Sequence, residues 1–288
     1  MNAKPPGRLR EYALLMRLDK PVGIGLLLWP TLWALWIAGE GRPDLKVLVV
    51  FVLGVVLMRS AGCVINDYAD RGFDPHVTRT RDRPIAAGRV SPREALVLFA
   101  LLCLAAFALV LTLDWLTVAL SVPAVLLAAS YPFMKRWTYL PQAYLGIAFS
   151  WGIPMAFAAQ TGGVPALAWW LFAANLLWAV AYDTFYALVD IADDRRIGVK
   201  SSAILFGSAV RPVTALLQLL VLGCLAWVGI QSAQPPLFYA GLAVAAGCAL
   251  YQQWLIRALE PTACFRAFRN NNLFGAAVFV GLFAGSIF

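Results

Sequence analysis

The sequence predicts an all-α integral membrane protein of about nine membrane-crossing helices. Three observations carry this. Of the 288 residues 61% are apolar and 13% charged, whereas a soluble domain is about half apolar and about a quarter charged. Nine apolar runs approach the roughly 17 to 25 residues that a bilayer crossing needs. Lysine and arginine gather in every second connection between those runs, the mark of a single cytoplasmic face.

The runs are 21–38, 46–66, 94–112, 115–131, 139–159, 165–186, 210–231, 236–256 and 271–288. The first follows a polar, basic tail (Lys4, Arg8, Arg10, Arg17, Lys20) with no apolar core ahead of a small-residue cleavage site, so the run itself is the insertion signal. The second ends in an acidic stretch, Asn66 to Asp74, and leads into a long polar connection, 67–93. Asp114 marks the short turn between the third and fourth, and Lys135 and Arg136 stand between the fourth and fifth. The sixth ends in a second acidic stretch, Asp183 to Asp194, followed by the other long polar connection, 187–209. Connections of that length are often lids or binding loops. Pro30, Pro123, Pro154 and Gly223 fall inside runs, which is tolerated where neighbouring helices cover the disturbed backbone. The basic clusters place the N-terminus and both acidic stretches in the cytoplasm and the C-terminus on the opposite side; only Arg42 and Lys46 lie in the outer connections. A bacterial inner membrane is the expected location. The chain reads as a single domain, 1–288, with no linker.

Composition also closes off several functions. Five cysteines without paired spacing and one histidine, His76, leave few ligands for a zinc or haem site, and the thiols are expected to be free and mostly buried. The formal charge of +8 belongs to cytoplasmic loops, so no nucleic-acid partner is expected, and no obligate protein partner is evident.

The two acidic stretches together with Asp82 hold eight of the fifteen acidic residues. If the second helix continues past its apolar part, Asn66, Asp70 and Asp74 fall at i, i+4 and i+8 on one face, and Pro75 ends it. Asp190 and Asp194 at i, i+4, with Asp183 seven residues before Asp190, likewise share a face. Asp67 and Asp193 fall off these faces and are expected to be solvated. Oxygen ligands in this number suit a hard cation such as Mg²⁺, which completes its shell with water and substrate phosphate. The substrate should therefore carry phosphates, with Arg79, Arg81, Arg83 and Lys200 as candidate basic partners. The bland alternative is a solvated helix end balanced by Arg71, Arg195 and Arg196, but crowded carboxylates without a cation repel one another.

Asn66-Asp67-x-x-Asp70-x-x-x-Asp74 resembles the first signature of the UbiA-type membrane prenyltransferases, Asp190-x-x-x-Asp194 the second, and Tyr131-Pro-Phe-Met-Lys135 the element between them. The segment from Arg17 to Trp36, with 131–142 and 182–190, is similar to the branch that prenylates 4-hydroxybenzoate in ubiquinone biosynthesis. The resemblance covers nearly the whole chain. It implies a helical bundle around a central cavity open to the cytoplasmic face and sideways to lipid. It implies that Asn66, Asp70, Asp74, Asp190 and Asp194 hold Mg²⁺ on the diphosphate of a polyprenyl donor, that Tyr131 and Lys135 lie near its reactive end, and that Arg83 and Lys200 contact the diphosphate.

Arg59 lies seven residues before Asn66, and Asp183 seven before Asp190, which puts each about 10 Å deeper on its motif face at 1.5 Å rise per residue. Two readings stand. Arg59 receives the carboxylate of 4-hydroxybenzoate while Asp183 orients it or accepts a proton; or the two form a structural ion pair, since buried charges are usually paired. A sibling prenyltransferase with another aromatic acceptor such as a naphthoate is the nearest alternative function. A cation or phosphate-ester transporter is a more distant one, because the outer halves of the runs are almost uncharged.

Overall fold

The structure is a computed structural model that describes residues 7–287; Lys4 of the basic tail and Phe288 at the end of the last predicted run lie outside the described residues. A short helix α1 (Arg8–Leu15) precedes α2 (Val22–Ala38), α3 (Leu45–Asp70), α4 (Pro92–Val110) and α5 (Trp115–Ser130). A 3-10 segment, Tyr131–Arg136, leads into α6 (Pro141–Ser150) and α7 (Gly152–Thr161), followed by α8 (Ala166–Ile197), α9 (Ser202–Phe206), α10 (Val210–Gln231), α11 (Pro236–Leu255) and α12 (Pro261–Gly285). No strand is present among the described residues. Five helical stretches are long and apolar enough to cross a membrane: Leu45–Asp70, Pro92–Val110, Trp115–Arg136, Ala166–Ile197 and Ser202–Gln231. The protein is an integral membrane protein.

Three acidic side chains outside the two stretches start helices. Asp44 accepts the Val47 N–H at the head of α3, Asp114 accepts that of Thr117 at the head of α5, and Ser91 with Glu94 forms a reciprocal cap on α4. The five cysteines are free, with Cys63, Cys248 and Cys264 buried.

Three sequence expectations are corrected. Helix α3 stops at Asp70, so Asp74 does not continue its face; the Phe73 N–H turns back to the Asp70 carbonyl at 2.7 Å and Asp74 opens a separate 3-10 turn, Asp74–His76. Gly72 and Pro75 follow the place where the helix gives out. Helix α8 instead runs well past position 186 to Ile197, so most of the connection expected over 187–209 is helical. Arg195 and Arg196 favour its last turn through the helix dipole, and Gly198 closes it with a left-handed φ of +74°. The run 139–159 breaks at Trp151, where Pro154 has no N–H to offer the Ser150 carbonyl.

Helix α8 is the hub, packing on α6, α7, α10 and α12. Trp33, Trp178 and Phe274 meet in the apolar centre, with Trp178 stacked on Phe274 at 5.3 Å. The indole N–H groups of Trp33 and Trp178 find acceptors on α12: Trp33 donates to the Gly275 carbonyl at 3.1 Å and Trp178 to Asn271 Oδ1 at 2.8 Å. Helices α11 and α12 touch backbone to backbone at Gly241 and Gly281, where small residues permit the close approach typical of membrane helix pairs. A Cβ on Gly241 would sit 2.5 Å from the Ala277 carbonyl oxygen. Gly241→Ala should therefore force the pair apart and cost about 1–3 kcal/mol, read as a lowered thermal midpoint in detergent. Gly223→Ala, whose Cβ meets nothing within 4 Å, should leave the midpoint unchanged or raise it.

Candidate active site

The ends of α3 and α8, the 3-10 segment after α5 and the connection after α3 surround a cavity of about 560 Å³. Of the site residues singled out from the sequence, all but Arg81 line it. Asn66, Asp70 and Asp74 reach it from the α3 side, and Asp183, Asp190 and Asp194 from α8. Tyr131, Lys135, Arg59, Arg83 and Lys200 complete the set.

Asp70, Asp74 and Asp190 are neutralised by bases from elsewhere in the chain. Lys135 Nζ lies 2.5 Å from Asp70 Oδ1, while Asn66 Nδ2 donates to Asp70 Oδ2 at 3.1 Å. Arg83 Nη1 donates to both Asp74 oxygens at 3.0 Å. Arg79 forks onto Asp190, with Nε at 3.0 Å from Oδ1, and its guanidinium also donates to the Tyr186 hydroxyl and lies 4.6 Å over that ring. Burial pushes the Asp74 carboxyl up to about 6 against the opposing pull of Arg83. Arg71, Arg195 and Arg196 form no ion pair among the described residues, and Arg71 folds onto Tyr68 instead. The solvated helix end balanced by those arginines is therefore not what the chain builds.

Asp67 corrects another expectation. It is fully buried rather than solvated, with Oδ1 accepting Arg17 Nη2 at 2.7 Å and lying 3.1 Å from Arg83 Nη1. Lys200 reaches the rim, but its ammonium donates to the Trp137 carbonyl at 3.2 Å over the Tyr139 ring, and its backbone N–H joins the Lys135 carbonyl at 3.2 Å. Arg81 pairs loosely with Asp82 at 3.9 Å, both exposed. The acidic stretches share a cavity without forming one tight cluster: no three histidine, cysteine or acidic side chains converge as a metal site among the described residues.

The structural Arg59–Asp183 ion pair is not formed. Arg59 pairs with no carboxylate among the described residues; Nη1 donates to Cys63 Sγ at 2.6 Å and buried Nε has no partner. The guanidinium lies against the bare Cα of Gly23, where a Cβ would come within 2.3 Å of Nη2, and 6.0 Å from the Phe149 ring centroid. Tyr131 donates to the Gly62 carbonyl at 3.3 Å, fixing the 3-10 segment against α3.

Sequence reasoning missed Arg17 and Tyr186 at the cavity and the buried role of Asp67. Tyr186 was open to discovery, since it precedes Asp190 by one helical turn on the same face. Arg17 and Asp67 meet only through the fold.

Fold and site together define a helical membrane protein that collects acids and bases around a cavity at one end of its bundle, a design for handling a charged head group. The chain belongs to the UbiA prenyltransferase family, whose model matches residues 27–278. It is 65% identical over 277 residues to a 4-hydroxybenzoate octaprenyltransferase of Methylococcus capsulatus, covering 96% of this chain and 95% of that protein. The apo structure of a UbiA homolog from Aeropyrum pernix K1 superimposes with a TM-score of 0.79 at 24% identity, over 91% of this chain and 96% of that one. A UbiA homolog from Archaeoglobus fulgidus bound to GPP and Mg²⁺ gives 0.72 at 16% identity, over 96% and 100% of the two chains.

Proposed function

We propose that this protein transfers the polyprenyl group of a polyprenyl diphosphate to the ring of 4-hydroxybenzoate and releases diphosphate, with Mg²⁺ as cofactor. The observation that carries the reading is one cavity in which Asp70, Asp74, Asp190 and Asp194 stand at the rim while Arg59, a half-buried cation with no carboxylate partner among the described residues, lies deeper on α3. The name of the Methylococcus relative supports both donor and acceptor. The donor set fits a hard divalent cation, being carboxylate and amide oxygens without imidazole. Asn66, Asp70, Asp74, Asp190 and Asp194 would hold it, taking it on oxygens that Lys135, Arg83 and Arg79 now neutralise.

When bound, Mg²⁺ would offset the charge that grows on the leaving diphosphate. Arg83 and Arg79 add positive charge there, and Lys135 and Tyr131 face the carbon–oxygen bond that breaks with its electron pair leaving on diphosphate. Arg59 binds the carboxylate of 4-hydroxybenzoate, directing the electron-rich ring carbon beside the phenol at the allylic cation. A new carbon–carbon bond forms, and the ring proton goes to Asp183, which no contact ties to Arg59. The apolar helices around the cavity keep water from the cation. The same reading places nine spans in a bacterial inner membrane, with the N-terminus and cavity cytoplasmic and the C-terminus outside, supported by the distribution of basic residues. The whole chain acts as one domain in the presence of membrane lipid.

Purified protein given polyprenyl diphosphate and Mg²⁺ should prenylate 4-hydroxybenzoate and not a dihydroxynaphthoate, and Asp70→Asn or Asp190→Asn should slow turnover about 100-fold or more. Diphosphate release with the naphthoate alone would reassign the acceptor, and no release with either would sink the transferase reading. Gly23→Ala should displace Arg59 and raise KM for 4-hydroxybenzoate about 10- to 100-fold, the scale of one charge-assisted contact, with donor KM and membrane yield little changed. An unchanged acceptor KM would remove the carboxylate role from Arg59.

A further inference from the structure

Asp67 sits in the first acidic stretch yet has 0% exposure, the most deeply buried acid of the site. Its Oδ1 accepts Arg17 Nη2 at 2.7 Å and lies 3.1 Å from Arg83 Nη1, while Oδ2 has no partner. One carboxylate thus gathers two guanidiniums from separate parts of the chain, Arg17 just before α2 and Arg83 in the connection after α3. Each guanidinium has five N–H donors in a rigid fork. Arg17 bonds only through Nη2 and Arg83 only through Nη1 among the described residues, so the other side-chain nitrogens of both remain open. Both side chains line the cavity and are 20% and 13% exposed. Arg17 also holds a left-handed backbone with φ +57°, a conformation that persists in a non-glycine residue only when its surroundings impose it. The bond to Asp67 anchors its side chain there. A buried carboxylate that takes one corner of an arginine fork leaves the rest aimed at whatever enters the cavity, and planar guanidinium donors match phosphate oxygens.

We propose that Asp67 is a positioning residue that holds Arg17 and Arg83 as a two-guanidinium clamp on the donor's diphosphate. It touches no substrate and acts through the arginines; Arg17 becomes a diphosphate contact supplied by the segment ahead of α2. This rests on the diphosphate reading above. Asp67 stands behind the cavity wall, whereas Asp70 and Asp74, though also buried, line the cavity themselves.

The test titrates inorganic pyrophosphate, in saturating Mg²⁺, into the purified full-length protein and into Asp67→Asn, Arg17→Gln and the double variant, by calorimetry. Each single change should weaken pyrophosphate binding about tenfold or more, with the double variant no weaker than Asp67→Asn because the two act as one unit. Affinity for 4-hydroxybenzoate should stay within about twofold in all of them, a difference too small to count as a lost contact. Unchanged pyrophosphate affinity in Asp67→Asn, or fully additive losses in the double variant, would overturn the proposal. A purely structural role would lower the thermal midpoint and leave the affinity of the folded protein unchanged, which also overturns it. If Asp67→Asn does not fold, Arg17→Gln alone decides, and unchanged affinity there counts against the clamp. Wild-type protein that binds no pyrophosphate would defeat the diphosphate reading itself, whereas wild-type binding with indifferent variants defeats only the clamp.

Discussion

Carboxylates crowded at the end of an apolar bundle must be neutralised before the chain can close around them, because an unpaired buried charge is far more costly than a paired one. This constraint arranges the segments at the cavity end of the bundle. Asp67 draws in the segment before α2 through Arg17, Asp70 draws in the 3-10 segment after α5 through Lys135, and Asp190 draws the connection after α3 across to α8 through Arg79. Arg83 then ties that connection back to Asp74 and Asp67. A stretch with little regular structure is thereby held in place by ion pairs, and the groups that bring order to the rim are the same groups that suit a phosphorylated substrate.

The interior meets the same demand with neutral groups. Membrane helices cannot leave buried donors to water, so polar side chains there satisfy one another. Gln218 donates to Gln252, which donates to Asn270, and Gln253 bonds to both Thr214 and Gln218 across α10 and α11. The asparagines of α12 receive the indoles of α2 and α8: Trp29 bonds Asn272 and Trp178 bonds Asn271. These contacts fix the rotation of α12 about its axis, which apolar packing alone leaves loosely specified.

Helical spacing was enough to bring Asp183, Asp190 and Asp194 onto one face, because α8 really is continuous through them. Asp74 lines the cavity by another route than spacing implies: the helix ends at Asp70 instead of continuing two turns past Asn66, and the side chain returns through a 3-10 turn held by Arg83. Asp67 looks solvated in the sequence because position on a helix says which side a residue faces, not what covers that side. What covers it are Arg17, fifty residues earlier in the chain, and the loop carrying Arg83, partners no local pattern reveals. The Arg59–Asp183 alternative had the same character, and the absence of that pair among the described residues is a matter of three-dimensional distance alone.

The cavity of about 560 Å³ has the dimensions of a pocket for a drug-sized ligand, about 300–1,000 Å³. On the proposed function, a cavity of that size takes an aromatic acid, a diphosphate and the first prenyl units, but not a whole polyprenyl tail. The remainder of a long isoprenoid would then lie among the lipids outside. On this reading the protein inspects one end of its donor and is blind to the other, so the tail length of the product is decided by whichever enzyme makes the donor.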